Sequence, residues 1–121
     1  MVPQKTMEGK RVLVTGSGTG IGRGVALEFA AEGASVALHY AHSEEGARSA
    51  VEEIRGTGGK AEAFKADLAD LDQVQGLAVM ASDFLGGIDV LDGPQMLQVI
   101  SDVCSGYFFQ QYDQNVRLVR D

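Results

Sequence analysis

One cysteine, Cys104, stands among 121 residues, so the chain cannot close an internal disulfide. That suits a reducing compartment and sets the expectation of a cytoplasmic protein. Taken alone, Cys104 reads as a small buried hydrophobe rather than a reactive thiol. Positive charge is scarce too. Ten Lys and Arg stand against 17 Asp and Glu, the net charge is −7, and no basic run exceeds the pair Lys10 and Arg11. A binder of phosphate backbones carries a basic stripe, so nucleic acid is not an expected partner. No apolar run approaches the roughly 20 residues that span a bilayer. Residues 1–10 have no apolar stretch of the signal-peptide kind. No His, Cys and Asp cluster has metal-ligand spacing, and no metal is expected. An acidic chain can still take a nucleotide, because backbone N–H groups at a helix start hold phosphate without any lysine.

Glycine is plentiful: 16 residues, gathered at separate places rather than in repeats, which signals tight turns between short elements. The length suits one domain. Val12, Leu13 and Val14 read as a buried strand ending in Thr15-Gly16. Covered on both faces, a parallel strand need not alternate. Apolar residues recur at Ile21, Val25, Phe29 and Ala30 with helical spacing, and Gly33 supplies a left-handed stop. Residues 35–40 read as a second strand. Ser43 as cap, with Glu44 and Glu45 in the first turn, opens a second helix. Its apolar stripe is Ala47, Ala50, Val51 and Ile54, and residues 56–59 end it. Residues 61–66 form a third strand. Asp70 and Gln73 have capping-box spacing, ahead of a helical stripe of Val74, Leu77, Ala78, Ala81, Phe84 and Leu85 that Gly86-Gly87 closes. Residues 88–91 form a fourth strand. Strands alternating with helices at this spacing predict right-handed crossovers and a parallel α/β sheet.

Past the turn Asp92-Gly93-Pro94 two readings stand. One is a helix placing Met96, Leu97, Val99, Ile100, Val103, Cys104, Tyr107 and Phe108 toward the core, followed by a fifth strand at residues 116–119. The other stops the helix at Gly106 and makes a hairpin of residues 107–112 and 115–120. The first continues the alternation and is preferred.

Between the first strand and the first helix runs Thr15-Gly16-Ser17-Gly18-Thr19-Gly20-Ile21-Gly22. Gly16 lets the chain turn sharply off the strand. Gly20 lets the backbone approach a diphosphate, and Gly22 lets the helix sit near the sheet. The helix start then presents unpaired N–H groups and the positive end of its dipole. The pattern GxGxxG is not met from Gly16 or Gly18, since Ile21 and Arg23 stand where the last glycine belongs, and no Gly-Lys-Ser/Thr of a P-loop follows. The pattern present is TGxxxGxG.

That loop resembles the cofactor loop of the short-chain dehydrogenase/reductase family. Gly33-Ala34 resembles that family's entry to its second strand, and Ala66-Asp67-Leu68 its adenine-binding step. Gly87-Ile88-Asp89-Val90-Leu91 resembles its approach to the central strand. Together these cover about residues 9–91. The resemblance implies one truncated, three-layer Rossmann-like domain with strand order 3-2-1-4 and a fifth strand, residues 92–121 being a divergent segment. It also implies an NADP or NAD cofactor held by Gly16, Ser17, Thr19, Gly20, Ile21 and Gly22, with Tyr40, His42 and Ser43 after the second strand and Asp67 and Leu68 after the third. By residue type alone, Asp67 reads equally as a turn or capping residue, His39 as a strand side chain and His42 as a solvated loop residue. No carboxylate ends the second strand, where an acidic group would hold the ribose diol and repel a 2′-phosphate. That leans toward NADP, with Ser43, His42 and Arg23 as phosphate partners, although Thr19 stands where many NADP-preferring relatives carry a basic residue.

After Leu91 the family continues Asn-Asn-Ala-Gly, whereas here Asp92-Gly93-Pro94-Gln95 stands. The family's Tyr-x-x-x-Lys, a proton-transferring Tyr with a Lys one helical turn away, is not met either. Four residues beyond Tyr40, Tyr107 and Tyr112 stand Glu44, Gln111 and Val116, and the last lysine is Lys65. Tyr107, Phe108, Phe109 and Tyr112 read as core or interface aromatics, and Ser101 and Ser105 have no His or Lys partner near in sequence. The expectation is therefore an oxidoreductase's dinucleotide-binding half with no catalytic residue and no turnover as it stands. Two other readings stay open: a non-catalytic nucleotide-binding sensor or subunit, and an interaction module whose uncovered apolar face forms a homo-oligomer. A receiver-like domain is disfavoured, since it wants an acidic cluster where Thr15-Gly16 stands.

Overall fold

The computed structural model describes residues 6–18 and 20–92, together with the backbone of residues 117–119. Its strands are β1 (Arg11–Val14), β2 (Ser35–Tyr40), β3 (Ala61–Lys65), β4 (Val90–Asp92) and β5 (Arg117–Val119). They form one sheet in the order β3-β2-β1-β4-β5, with every neighbouring pair parallel. The helices α1 (Gly20–Ala31), α2 (Glu44–Gly56) and α3 (Leu71–Leu85) connect the first four strands.

The inward alternation of the strands assigns the helices to layers. Val12, Val14, Val36, Leu38 and Val90 pack with Ala26, Ala50, Val51 and Ile54 of α1 and α2. Leu13, Ala37 and Leu91 point the other way and pack with Val74, Leu77, Ala78, Ala81 and Leu85 of α3. Both faces of β1 are thus sealed, which is why its sequence is apolar throughout. Leu13, Leu38, Leu77 and Leu91 are fully buried, and truncating such a leucine to alanine costs about 2–5 kcal/mol.

The ends of the elements show where local chemistry decided and where it did not. Gly86 takes φ 82° and donates its N–H to the Ser82 carbonyl, the left-handed stop expected for α3. Asp70 caps α3 by accepting from the Asp72 N–H at 3.0 Å. The reciprocal half of the capping box does not form. Gln73 Oε1 instead accepts the Asp67 N–H at 2.8 Å, and its Nε2 donates to Asp70 Oδ2 at 3.2 Å. Ser43 is the residue before α2, yet its hydroxyl makes no cap hydrogen bond. Ile21 does not belong to the core stripe of α1: it is 74 % exposed, and Ala26 is the buried residue of that helix. β3 stops one residue early at Lys65, and β4 runs Val90–Asp92 rather than 88–91 because its partners are Val12, Leu13 and Val14 of β1.

β5 lies parallel to β4, with Leu91 opposite Leu118, as a strand reached by a crossover does. It begins one residue later than expected, at Arg117. The helix expected over residues 96–108, with Cys104 and the aromatic cluster, lies outside the described residues.

Candidate nucleotide-binding site

All strands run the same way, so the segments after β1, β2 and β3 emerge at one edge. The strand order reverses between β1 and β4, the point at which open parallel sheets leave a crevice. The glycine loop sits there. Thr15 donates its N–H to the Asp92 carbonyl at 2.8 Å, and Gly16 then turns the chain with φ 64°. The Gly16 N–H donates to His39 Nδ1 at 3.1 Å, and the Ser17 N–H donates to the His39 carbonyl at 2.8 Å. The Ser17 hydroxyl lies 2.9 Å from that carbonyl and 3.1 Å from that of Val14, its single proton serving one of them at a time.

Beyond this anchor the loop leans on the start of α2. A Cβ on Gly18 would lie 2.5 Å from the Ser43 carbonyl oxygen, and one on Gly46 would collide with the Gly18 carbonyl. Gly20 has φ 57°, and the position of its missing Cβ meets nothing within 4 Å among the described residues. The bare backbone there faces open space. A Cβ on Gly22 would collide with the Gly16 carbonyl oxygen. The close approach that Gly22 permits is therefore of the helix to its own loop, and not, as its spacing suggested, of the helix to the sheet. α1 begins immediately behind this turn. The N–H groups of its first three residues, Gly20 to Gly22, have no carbonyl one helical turn earlier to bond, and the positive end of the helix dipole lies with them.

The structure gathers the expected residues unequally. Gly16, Gly20, Ile21 and Gly22 lie at the mouth, with the Ile21 side chain largely exposed. Ser17 is completely buried and Tyr40 nearly so, so both support the rim from beneath. Tyr40 lies near the Arg48 guanidinium, whose hydrogen-bond partner is the Glu44 carboxylate at 2.7 Å. His42 is exposed and Ser43 half-buried at the end of β2. Asp67 is exposed after β3 and closes a local turn, its Oδ1 accepting the Ala69 N–H at 2.9 Å. Leu68 packs against the α3 side of the core. Arg23 turns toward α2, donating to the Gly46 carbonyl at 3.3 Å and to Ser49 Oγ at 2.9 Å. Thr19 lies outside the described residues.

His39 escaped sequence reasoning. Its ring is buried on the α3 side of β2, with Nδ1 accepting from Gly16 and Nε2 2.8 Å from the Ala66 carbonyl. An acceptor role at Nδ1 fixes the proton on Nε2, where it donates to Ala66. Burial holds the imidazole below its ordinary value, against the smaller opposing effect of the Ala66 hydrogen bond. The signal was present: alternation along residues 35–40 points a polar ring inward at position 39, and a buried polar group needs partners.

At the opposite edge of the sheet a cavity of about 430 Å³, lined by Glu8, Gly33, Ser35, Gly58 and Lys60 among others, opens away from the glycine loop. It shares no residue with the crevice.

The sequence matches the short chain dehydrogenase family over residues 10–101. The chain belongs to that family. The match runs past Leu91, where the resemblance in sequence was expected to stop. L-rhamnose 1-dehydrogenase (NAD(P)(+)) of Sphingomonas sp. (strain SKA58) is 47 % identical over 87 residues, which are 72 % of this chain and 34 % of that protein. Hydroxynaphthalene reductase arp2 of Aspergillus fumigatus is 35 % identical over 114 residues, 92 % of this chain and 42 % of that one. Among solved structures, a short chain dehydrogenase from Burkholderia cenocepacia J2315 in complex with NADP superposes with a TM-score of 0.82 at 29 % identity, covering 94 % of this chain and 55 % of that one. A short-chain type dehydrogenase/reductase from Mycobacterium marinum gives 0.67 at 42 % identity, covering 74 % and 36 %. The chain thus spans between a third and a half of the curated relatives' length. The Rossmann-like layering and the order 3-2-1-4 are those expected from the resemblance. Among the described residues, no helix is long and apolar enough to cross a membrane.

Proposed function

We propose that this chain is the dinucleotide-holding part of a short chain dehydrogenase-type oxidoreductase, that it binds NADP or NAD through the adenosine diphosphate portion, and that these 121 residues alone do not turn over substrate. The observation that carries this reading is the turn from Gly16 to Gly22. A positive-φ glycine with open space before it stands at the start of a 12-residue helix, whose first N–H groups suit an anionic diphosphate. The donor set fits the remaining parts of such a ligand. Asp67 offers an exposed carboxylate as acceptor for an adenine amino group. His42 and Ser43, with Thr19 of the loop, offer neutral or cationic donors to an adenosine ribose or its 2′-phosphate. The absence of a carboxylate after β2 favours the phosphorylated cofactor. When bound, a nicotinamide dinucleotide supplies hydride-transfer chemistry. This chain's residues bind and orient it, and the sequence holds no Tyr-x-x-x-Lys to move the accompanying proton. The NADP carried by the Burkholderia structure supports the choice of ligand.

Calorimetric titration with NADPH, NADH and ADP-ribose tests the reading. The expected dissociation constants are micromolar to millimolar, with ADP-ribose binding about as well as the whole dinucleotide. Saturation to about 100 times the dissociation constant raises stability by about 2.7 kcal/mol. Gly16→Val, which forces a branched side chain into positive φ, abolishes binding. No heat and no rise in melting temperature with any of the three would refute the site. Carbonyl reduction by the wild-type chain that Gly16→Val removes would refute the absence of turnover.

A further inference from the structure

We propose that His39 is a positioning residue for this site: its neutral ring ties the first turn of the glycine loop to the end of β3, and so sets the spacing between the two segments that meet the nucleotide. The inference rests on the reading of the site given above. It starts from contacts that no motif encodes. Nδ1 accepts the Gly16 N–H at 3.1 Å, and Nε2 donates to the Ala66 carbonyl at 2.8 Å, one residue before Asp67. The backbone carbonyl of the same residue takes the Ser17 N–H at 2.8 Å. One residue of β2 thus holds Gly16 and Ser17 on one side and Ala66 on the other. The diphosphate turn and the adenine step are coupled through a single buried ring, 2 % exposed.

The coupling depends on the protonation state. In the neutral tautomer both ring nitrogens are satisfied. A second proton would sit on Nδ1 and face the Gly16 N–H, donor against donor, while placing a charge in the core. The Gly16 contact then has to open. Among the described residues, the ionisable groups at this end of the sheet are Tyr40 and His42 on and after β2, Arg23 at the start of α1, Glu44, Glu45 and Arg48 at the start of α2, Lys65 and Asp67 around the end of β3, Asp70 and Asp72 at the start of α3, and Asp92 at the end of β4. The glycine loop itself carries none. Tyr40 alternates to the other face of β2. Glu44, Glu45, Arg48, Lys65, Asp67, Asp70, Asp72 and His42 are exposed and screened by water, Arg23 is turned onto α2, and Asp92 is buried. Burial outweighs the hydrogen bond at Ala66 and keeps the ring neutral to a lower pH than an ordinary imidazole. The loop therefore loosens on the acid side of 6.5.

The test uses the full chain and ADP-ribose, which has no 2′-phosphate to titrate in the same range. Amide NMR of the ligand-free protein between about pH 5 and pH 8 is expected to show the Gly16 resonance moving with the His39 ring. In His39→Gln, which keeps a donor and an acceptor but does not titrate, Gly16 stays still. Across the same range the ADP-ribose affinity of the wild type falls about tenfold toward acid, the equivalent of one pKa unit. His39→Gln flattens that fall. A Gly16 amide indifferent to the His39 titration overturns the proposal, as does an equal acid fall in affinity in both proteins. A Gly16 amide that follows His39 in a chain that binds no ADP-ribose overturns the nucleotide reading and leaves the clamp standing. Should His39→Gln fail to fold, the wild-type amide titration decides alone.

Discussion

Gly22 and Gly24 lie two residues apart in α1, and the same substitution is expected to stabilise the protein at Gly24 but not at Gly22. Alanine is favoured over glycine in a helix by about 1 kcal/mol, chiefly because glycine loses more backbone entropy on folding. At Gly24 a Cβ meets nothing within 4 Å among the described residues. Gly24→Ala should therefore realise most of that gain and raise the melting temperature by about 4–8 °C per kcal/mol. At Gly22 the added Cβ collides with the Gly16 carbonyl oxygen and lies 2.8 Å from its carbon and 3.3 Å from the Ser17 Cα. All three atoms are backbone, and that backbone is anchored to His39, so no side chain can swing aside. Overpacking of this kind costs about 1–3 kcal/mol, which offsets the helical gain and leaves Gly22→Ala neutral to about 2 kcal/mol less stable. It also displaces the loop from the helix start, so nucleotide affinity falls with it, whereas Gly24→Ala leaves affinity unchanged. Urea unfolding followed by circular dichroism, with the slope held equal between variants, reads the difference as a shift in midpoint. If Gly22→Ala is stabilised as much as Gly24→Ala and binds equally well, the start of α1 is not pressed against the loop and the turn described here is wrong.

Two further substitutions test the frame around the site. Arg11 holds Asp89 through Nε to Oδ2 at 2.9 Å and Nη2 to Oδ1 at 2.8 Å, with Nη1 on the Gly86 carbonyl at 2.8 Å. Both side chains are more than two-thirds buried. Asp89→Asn should cost about 1–2 kcal/mol, as the loss of a charge-assisted, two-pronged contact does. The hydrogen bond from Arg11 holds the Asp89 carboxyl below its ordinary value of 3.8, against a smaller opposing effect of burial. The unfolded chain then binds more protons, so the contribution is complete above that value and is lost as pH falls below it. Melting curves of Asp89→Asn should accordingly be flatter against pH in that acid window, and equal slopes would dismiss the pair as a source of stability. The Ser82 hydroxyl is buried in α3 with no hydrogen-bond partner among the described residues. Ser82→Ala removes a desolvated hydroxyl and adds helix propensity, so a gain of about 1 kcal/mol is expected. A loss of that size in urea unfolding would show that the hydroxyl bonds a group beyond the described residues.

Particular residues show how far the sequence could be read. The apolar run at Val12 to Val14, the cap at Asp70 and the left-handed glycines 33 and 86 act through neighbours a few positions away, so their placement followed from local chemistry. The shift of β4 toward Asp92 did not, because it depends on pairing with Val14, 78 residues earlier. Ser43 looked like a helix cap, but Gly18 packs against it, and Gln73 reached Asp67 in place of its reciprocal partner. The outward turn of Ile21 reversed its apparent role as a core residue, since helical spacing alone cannot tell a core stripe from the lip of a crevice.

Sequence by itself determined that strands and helices alternate, that glycine turns separate them, and that a TGxxxGxG loop stands between the first strand and the first helix. Each of those is a property of a few adjacent residues and their backbone preferences. Tertiary structure alone decided that Ser17 and Tyr40 lie beneath the rim, that Arg23 serves α2, and that His39 joins two segments of the crevice. Those outcomes depend on which groups from distant parts of the chain arrive within hydrogen-bonding distance, and a buried polar atom takes whatever partner the packing brings to it.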